Sequence, residues 1–186
     1  MNIKKAKAIS SYWNEERHEE LTWLGTQAES RGMIAEIGAC TGCTTRALAD
    51  STPGSVYAID TWDGGTDDEL TLGINLDYAG WEGCYQAFLK NTAGLPNLTV
   101  MRMGSLDAAA RLLRTAIRFD MIFIDASHDY ESVKSDILAW RLLLAPSGLL
   151  CGHDFFDRYP GVIHAVKETT EGRWKHSGAG TIWQAL

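Results

Sequence analysis

The sequence is short of several things. Lys and Arg number 17 against 24 Asp and Glu, a formal net charge of −7. That is the wrong sign for a protein that grips phosphate backbones without regard to sequence, so nucleic acid is not the expected partner. Apolar runs are short, none approaching the roughly 18 residues that span a bilayer, and the opening Met1-Asn2-Ile3-Lys4-Lys5 runs into mixed polar sequence rather than a signal-peptide core. No membrane association is expected. The four cysteines, Cys40, Cys43, Cys84 and Cys151, are too few and too scattered for a disulfide scaffold. Together these absences predict a cytoplasmic chain. Linkers, internal repeats and low-complexity stretches are missing too, and 186 residues that are 45% hydrophobic make one domain spanning 1–186. Seven tryptophans are many for that size, enough to line a pocket as well as a core.

What is present is an alternation. Leu21, Trp23, Leu24 and Ala28 recur at helical spacing among charges, with Asn14 available as an N-cap, which predicts an amphipathic helix over 13–31 within an N-terminal helical segment, 1–32. Short apolar runs then follow at 33–37, 55–60, 98–103, 119–125 and 148–152, each the signature of a strand buried on both faces. Between them lie helical stretches at 44–49, 81–91, 106–116 and 130–144, then another at 161–171. Two short segments at 173–176 and 180–185 read as a terminal antiparallel pair. The expected architecture is α/β, a doubly wound, Rossmann-like sheet with helices on both faces. The irregular piece is 61–80, rich in Gly and acids, which reads as a lid because long unstructured loops are usually functional.

In such sheets ligands bind beyond the carboxyl ends of the strands, where the strand order reverses. Strand one leads into Gly38-Ala39-Cys40-Thr41-Gly42, strand two ends at Asp60-Thr61-Trp62, strand three leads to Gly104-Ser105, strand four to Asp125-Ala126-Ser127-His128, and strand five to His153-Asp154. A glycine turn entering a helix lets backbone and a helix N-terminus face a ligand. Asp60, 22 residues past Gly38, sits at the offset at which an acid accepts ribose hydroxyls. An adenosine-bearing cofactor follows as the leading expectation. Cys40 breaks the Gly-x-Gly-x-x-Gly pattern of nicotinamide enzymes, and Glu36-x-Gly38-x-x-x-Gly42 favours S-adenosylmethionine instead.

At these residues the sequence resembles the class I S-adenosylmethionine-dependent methyltransferases, and within them the branch of macrocin and other sugar O-methyltransferases. The resemblance is carried by the glycine turn, by Ala58-Ile59-Asp60-Thr61-Trp62-Asp63-Gly64, by Phe123-Ile124-Asp125-Ala126-Ser127-His128-Asp129-Tyr130, and by Leu144-Ala145-Pro146-Ser147-Gly148 leading to Gly152-His153-Asp154. Pro160-Gly161-Val162, Ala165-Val166 and Gly180-Thr181-Ile182-Trp183 are also similar. It implies a seven-stranded sheet whose last strand is antiparallel. It further implies that Glu36, Gly38, Ala39, Cys40, Thr41 and Gly42 hold the methionine part of the cofactor and Asp60 its ribose, and that Trp62 and Ser105 border the adenine, with Thr61 and Asp125 also reaching the cofactor. In related metal-dependent members the positions of Asp125, His153 and Asp154 bind a divalent cation, Mg or Mn, and His128 is similar to a general base, which makes Asp125 and His128 the catalytic candidates. The implied acceptor is a small-molecule or glycan hydroxyl.

The sequence departs from this pattern at Ala126, at Ser147 and, more consequentially, at His153, where the sugar enzymes carry an acid; imidazole tilts the expected cation from Mg toward Mn or a transition ion. Other readings stay open. His128 with its neighbours could simply cap the next helix, and His153 and Asp154 could bond each other. Cys40 and Cys43 have redox-pair spacing, although the glycine turn already explains them. Asp125, His128, His153 and Asp154 also suit a metal-dependent hydrolase or hydroxylase, and a catalytically silent cofactor-binding module remains an alternative. His18, His164 and His176 are expected on the surface, Trp23 and Trp140 on core-facing helix sides, and Trp62 and Trp81 beside the lid. With little chain left over to enclose a substrate, a homodimer or a large acceptor is expected to help exclude water.

Overall fold

The structure is a computed structural model, and it describes residues 15–64 and 78–186. Helix α1 (Glu15–Ala28) precedes strand β1 (Met33–Ile37), followed by α2 (Cys43–Ser51), β2 (Ser55–Asp60), α3 (Trp81–Asn91), β3 (Leu98–Arg102), α4 (Ser105–Leu113) and β4 (Phe119–Ile124). The chain closes with α5 (Tyr130–Arg141), β5 (Leu144–Gly152), α6 (Pro160–Thr169), β6 (Trp174–His176) and β7 (Trp183–Ala185). Asn14 and most of the expected lid, 65–77, lie outside the described residues.

One seven-stranded sheet runs in the order β3-β2-β1-β4-β5-β7-β6. The pairs from β3 through β5 are parallel, while β7 runs antiparallel to both β5 and β6. The expected doubly wound sheet is therefore present, with the last strand in sequence slotted inside the edge rather than forming it. The short apolar runs explain the parallel core: each of β1, β2 and β4 has helices above and below, so both side-chain parities must be apolar. Ala35, Ile37, Phe119, Ile122 and Ile124 pack with α4, α5 and α6, including Trp140. Ile34, Val56, Met121 and Phe123 pack with Leu24 and Ala28 of α1 and Leu48 of α2 on the other face. Trp140 is fully buried, and Trp23 is partly buried against the α1 side. His18, His164 and His176 are exposed.

The junction between α5 and β5 differs from the sequence reading. Helix α5 stops at Arg141 rather than 144, and β5 starts at Leu144 rather than 148, because Leu144 pairs with Phe119 across a register irregularity before Leu149 rejoins Met121. Apolar pattern alone could not see that start, since Pro146-Ser147-Gly148 reads as a turn.

The strand order reverses between β1 and β4, so their carboxyl ends open a crevice. Backbone bonds splice the loops leaving it: Asp125 N donates to Ile37 O at 2.8 Å, Gly38 N to Ile59 O at 2.8 Å, and His153 N to Ile124 O at 3.0 Å. Every loop expected to carry chemistry therefore meets at one edge.

Candidate active site

The turn after β1 is shaped by what it must avoid. Gly38 has φ 91°, and a Cβ there would stand 2.0 Å from the carbonyl oxygen of Asp125. The sequence suggested that this glycine admits a ligand; in the structure its missing side chain admits the neighbouring strand's backbone. Cys40 takes the left-handed conformation at φ 44°, held by Asp60, whose carboxylate accepts from Cys40 N at 2.9 Å and from Trp62 N at 2.8 Å. Burial pushes the Asp60 carboxyl up from its ordinary value against the pull of these backbone donors. Asp60 thus fixes the turn in addition to offering acceptor oxygens at the end of β2. Thr41 gives its carbonyl to Asn91 at 2.9 Å, and Thr61 accepts from Asp63 N at 3.3 Å. Ala39 is buried beside α3.

Two residues stand differently from the sequence expectation. Trp62 is 1% exposed, donates its indole N–H to Cys40 O at 2.7 Å and packs on Tyr85 and Phe88. It supports the turn from beneath, and its ring has no surface to offer an adenine. Ser105 donates its hydroxyl to Asp136 and accepts from the Trp140 indole, tying α4 to α5; what it offers the site is its place after β3, not its side chain. Cys40 meets Cys84, Sγ to Sγ 3.6 Å, while Cys43 packs with Leu21 and Ala47, so the two cysteines of the spacing motif do not pair.

Glu36 points from β1 toward α2. It is fully buried, Thr45 donates to its Oε2, and its Oε1 has no hydrogen-bond partner. Burial first, and then the nearby Asp125 and Asp60 charges, push its pKa up to about 8 despite the Thr45 bond and the Arg17 charge. A buried acceptor left unsatisfied is costly. It is the kind of atom that an ammonium group would satisfy, so the residues present fit the methionyl end of S-adenosylmethionine.

Across the crevice, Asp125, His128, His153 and Asp154 form one cluster. Asp154 takes φ 61°, a conformation Asp tolerates better than most, and accepts from His128 Nε2 at 2.8 Å. His153 Nδ1 lies 3.2 Å from Asp154 Oδ2 and 3.4 Å from Asp125 Oδ1. The His128 ring stacks on Tyr159 with centroids 4.0 Å apart. The cap of α5 is Asp129, the neighbour the capping alternative relied on, which accepts from Ser132 N, while the His128 ring itself turns to Asp154. The alternative bond between His153 and Asp154 is present. Burial works against the Asp154 charge, but His128 and His153 hold its carboxyl well below the ordinary range. Burial likewise disfavours a charged His153, and Asp125, Asp154 and Glu20 outweigh it and raise its pKa.

Sequence reasoning missed two members of this site, both on α1. Glu20 accepts from His153 Nε2 at 2.8 Å and from Thr181 N at 3.0 Å. It fits there because Gly180 has no Cβ, which would stand 2.2 Å from Glu20 Oε1. Burial alone would raise the Glu20 pKa; His153, Thr181 and Arg17 bring it below the ordinary value. Arg17 donates to Thr44 Oγ1 at 2.8 Å and approaches Glu20 Oε2 at 3.5 Å. The signal was available, since positions 17, 20, 21, 24 and 28 make one helical stripe, and an Arg and a Glu inside an otherwise buried stripe need partners.

Comparison with known proteins identifies the family and the fold. The model of a methyltransferase domain family matches residues 35–155, and no curated protein sequence matches significantly. Among solved structures, the calicheamicin methyltransferase CalS11 is similar, with a TM-score of 0.68 and 13% identity over 98% of this chain and 89% of that one. A putative O-methyltransferase from Klebsiella pneumoniae gives 0.64 and 17% over 99% and 87%. The N-methyltransferase NodS from Bradyrhizobium japonicum, in complex with S-adenosylhomocysteine, gives 0.60 and 17% over 92% and 86%. Among the described residues, no helix is long and apolar enough to cross a membrane. The family model spans the glycine turn, Asp60 and the crevice cluster through Asp154, and on that match the chain belongs to the class I S-adenosylmethionine-dependent methyltransferases.

Proposed function

We propose that the chain methylates a hydroxyl of a small sugar-like or secondary-metabolite acceptor, with His128 as general base and Asp125, His153 and Asp154 holding a divalent cation. S-adenosylmethionine supplies an already activated methyl group on a sulfonium, so the protein's remaining tasks are alignment and proton removal. The observation that carries the reading is the pairing of His128 with Asp154, on a ring fixed by Tyr159. A neutral His128 that donates Nε2–H to Asp154 keeps its lone pair on Nδ1, and the carboxylate stabilises the imidazolium formed when a hydroxyl proton arrives. A ring held from both edge and face spends little entropy on alignment.

The trio of Asp125, His153 and Asp154 offers ligand atoms that all lie within 4.8 Å of one another. Glu20 holds His153 by Nε2, which leaves Nδ1 directed at both carboxylates, the arrangement in which a histidine ligand donates its other nitrogen to an outer carboxylate. Two carboxylates and one imidazole suit Mn²⁺ or a transition ion better than Mg²⁺. A cation there would supply acidity to a coordinated hydroxyl. Support for a sugar-like acceptor comes from the sequence motifs and from CalS11, described as a TDP-rhamnose 3′-O-methyltransferase. The acidic balance of the chain disfavours nucleic acid as acceptor, and a homodimer or a bulky acceptor remains the proposed means of closing the crevice.

The test is methyl transfer to a panel of glycosidic hydroxyls with Mn²⁺ added or with excess chelator. Metal-stimulated turnover that His153→Ala and Asp154→Ala abolish supports the reading. Full activity in chelator removes the cation from it, and transfer only to nitrogen removes the hydroxyl.

A further inference from the structure

The methionyl end of the cofactor carries an α-carboxylate as well as an α-ammonium, and the one charged residue the motifs assign to that end, Glu36, is an acid, with the acids Asp60 on the ribose side and Asp125 across the crevice. They suit the ammonium and repel the carboxylate. A cationic partner is needed, and no motif in the sequence supplies it.

We propose that Arg17, from the N-terminal helix, reads the cofactor's carboxylate together with the first turn of α2. Arg17 reaches across from α1 to donate Nη2 to Thr44 Oγ1 at 2.8 Å, with its side chain still 22% exposed. Thr44 is the second residue of α2, and the backbone N–H groups of a helix's first turn have no partner within the helix. Here they also lack a side-chain cap, because the N-cap is Gly42, and no acid stands in the turn to balance the helix dipole. The positive end of α2 and a guanidinium therefore meet at one threonine. Two residues of the same turn divide the work: Thr44 takes Arg17, and Thr45 takes Glu36, whose buried Oε1 lacks a partner. A zwitterion laid across this turn finds a cation on one side and a carboxyl on the other.

Arg17 also bonds the Cys43 side chain, so its guanidinium is held against the first turn of α2 at two successive residues. Its approach to Glu20 is 3.5 Å, at the limit of a hydrogen bond, while the other Glu20 oxygen is bound by His153 and Thr181. A planar guanidinium presents donors in a fork that matches a carboxylate, which an ammonium does not.

The proposal rests on the cofactor assignment, and the experiment separates the two. Calorimetric affinities are measured for S-adenosylhomocysteine and for its decarboxylated analogue, S-adenosyl-3-thiopropylamine, on the wild-type chain, Arg17→Met and Arg17→Lys. The wild type should prefer the carboxylated ligand by roughly 10- to 100-fold. Arg17→Met should lose that preference by weakening S-adenosylhomocysteine alone, and Arg17→Lys should fall between. Equal weakening of both ligands would make Arg17 a scaffold residue and overturn the proposal, as would an unchanged preference. Should Arg17→Met fail to fold, the wild-type preference and the Arg17→Lys value decide it: a wild type that binds both ligands equally contradicts it. A wild type that binds neither ligand fails the cofactor assignment itself.

Discussion

Glu36→Gln isolates the least comfortable group in the molecule. The carboxyl is fully buried with one oxygen unpartnered, and its pKa is about 8 against an ordinary 4.5. The folded state therefore holds the Glu36 proton more tightly than the unfolded chain does. The stability of the neutral form is fully present below pH 4.5, erodes as pH rises through the window from 4.5 to 8, and is lost above it. At 1.36 kcal/mol per pH unit, the erosion between pH 5 and pH 8 is on the order of 3 kcal/mol. Gln does not titrate, so the variant escapes it. Any fixed cost of burying the amide shifts the whole curve and leaves its slope untouched. Urea melts of both proteins at pH 5, 6, 7 and 8 give the difference directly, because all other titrations largely cancel. Relative to wild type, the variant should gain roughly 3 kcal/mol across that range, equivalent to about 6 to 12 °C in melting temperature. Parallel stability curves would refute the reasoning, showing that Glu36 is already ionised or well satisfied at neutral pH.

Other substitutions test neighbouring parts of the account. Gly38→Ala must place a methyl against the Asp125 carbonyl at φ 91°, and should cost at least about 3 kcal/mol, read as a large fall in melting temperature; a shift within a degree or two would mean that the loops simply part. Glu20→Ala strips a buried partner from His153 and from Thr181 N and should cost about 2 to 4 kcal/mol in urea unfolding. His153→Ala should weaken Mn²⁺ binding, followed by electron paramagnetic resonance, by 10-fold or more if the trio is a cation site; unchanged binding would place the ion elsewhere.

The sequence was most informative where structure is local and doubly buried. Runs such as 33–37 and 119–124 have few ways to hide both faces, and Asp60 and the glycine turn follow from a strand that must stop and a helix that must start. The cluster of Asp125, His128, His153 and Asp154 was legible because each residue follows a strand at the same edge of the sheet. For Arg17 and Glu20 the inward turn was legible but the destination was not, since helical periodicity says which side chains turn inward but not which of four strand ends they meet. Trp62 was misjudged for a related reason. A tryptophan just beyond a strand end reads as a ligand wall, and only the tertiary packing of α3 shows that the ring turns down onto Phe88. The order of β6 and β7 rests on pairing of three-residue strands, too short to carry a register in sequence.

The most direct test of the central claim is the turnover of His128→Ala with labelled S-adenosylmethionine and a hydroxyl acceptor, with S-adenosylhomocysteine affinity measured on the same preparation. The account predicts kcat lower by roughly 100-fold or more, cofactor affinity unchanged, and the label on oxygen. A kcat equal to wild type would contradict it and leave His128 as a packing partner of Asp154 and Tyr159.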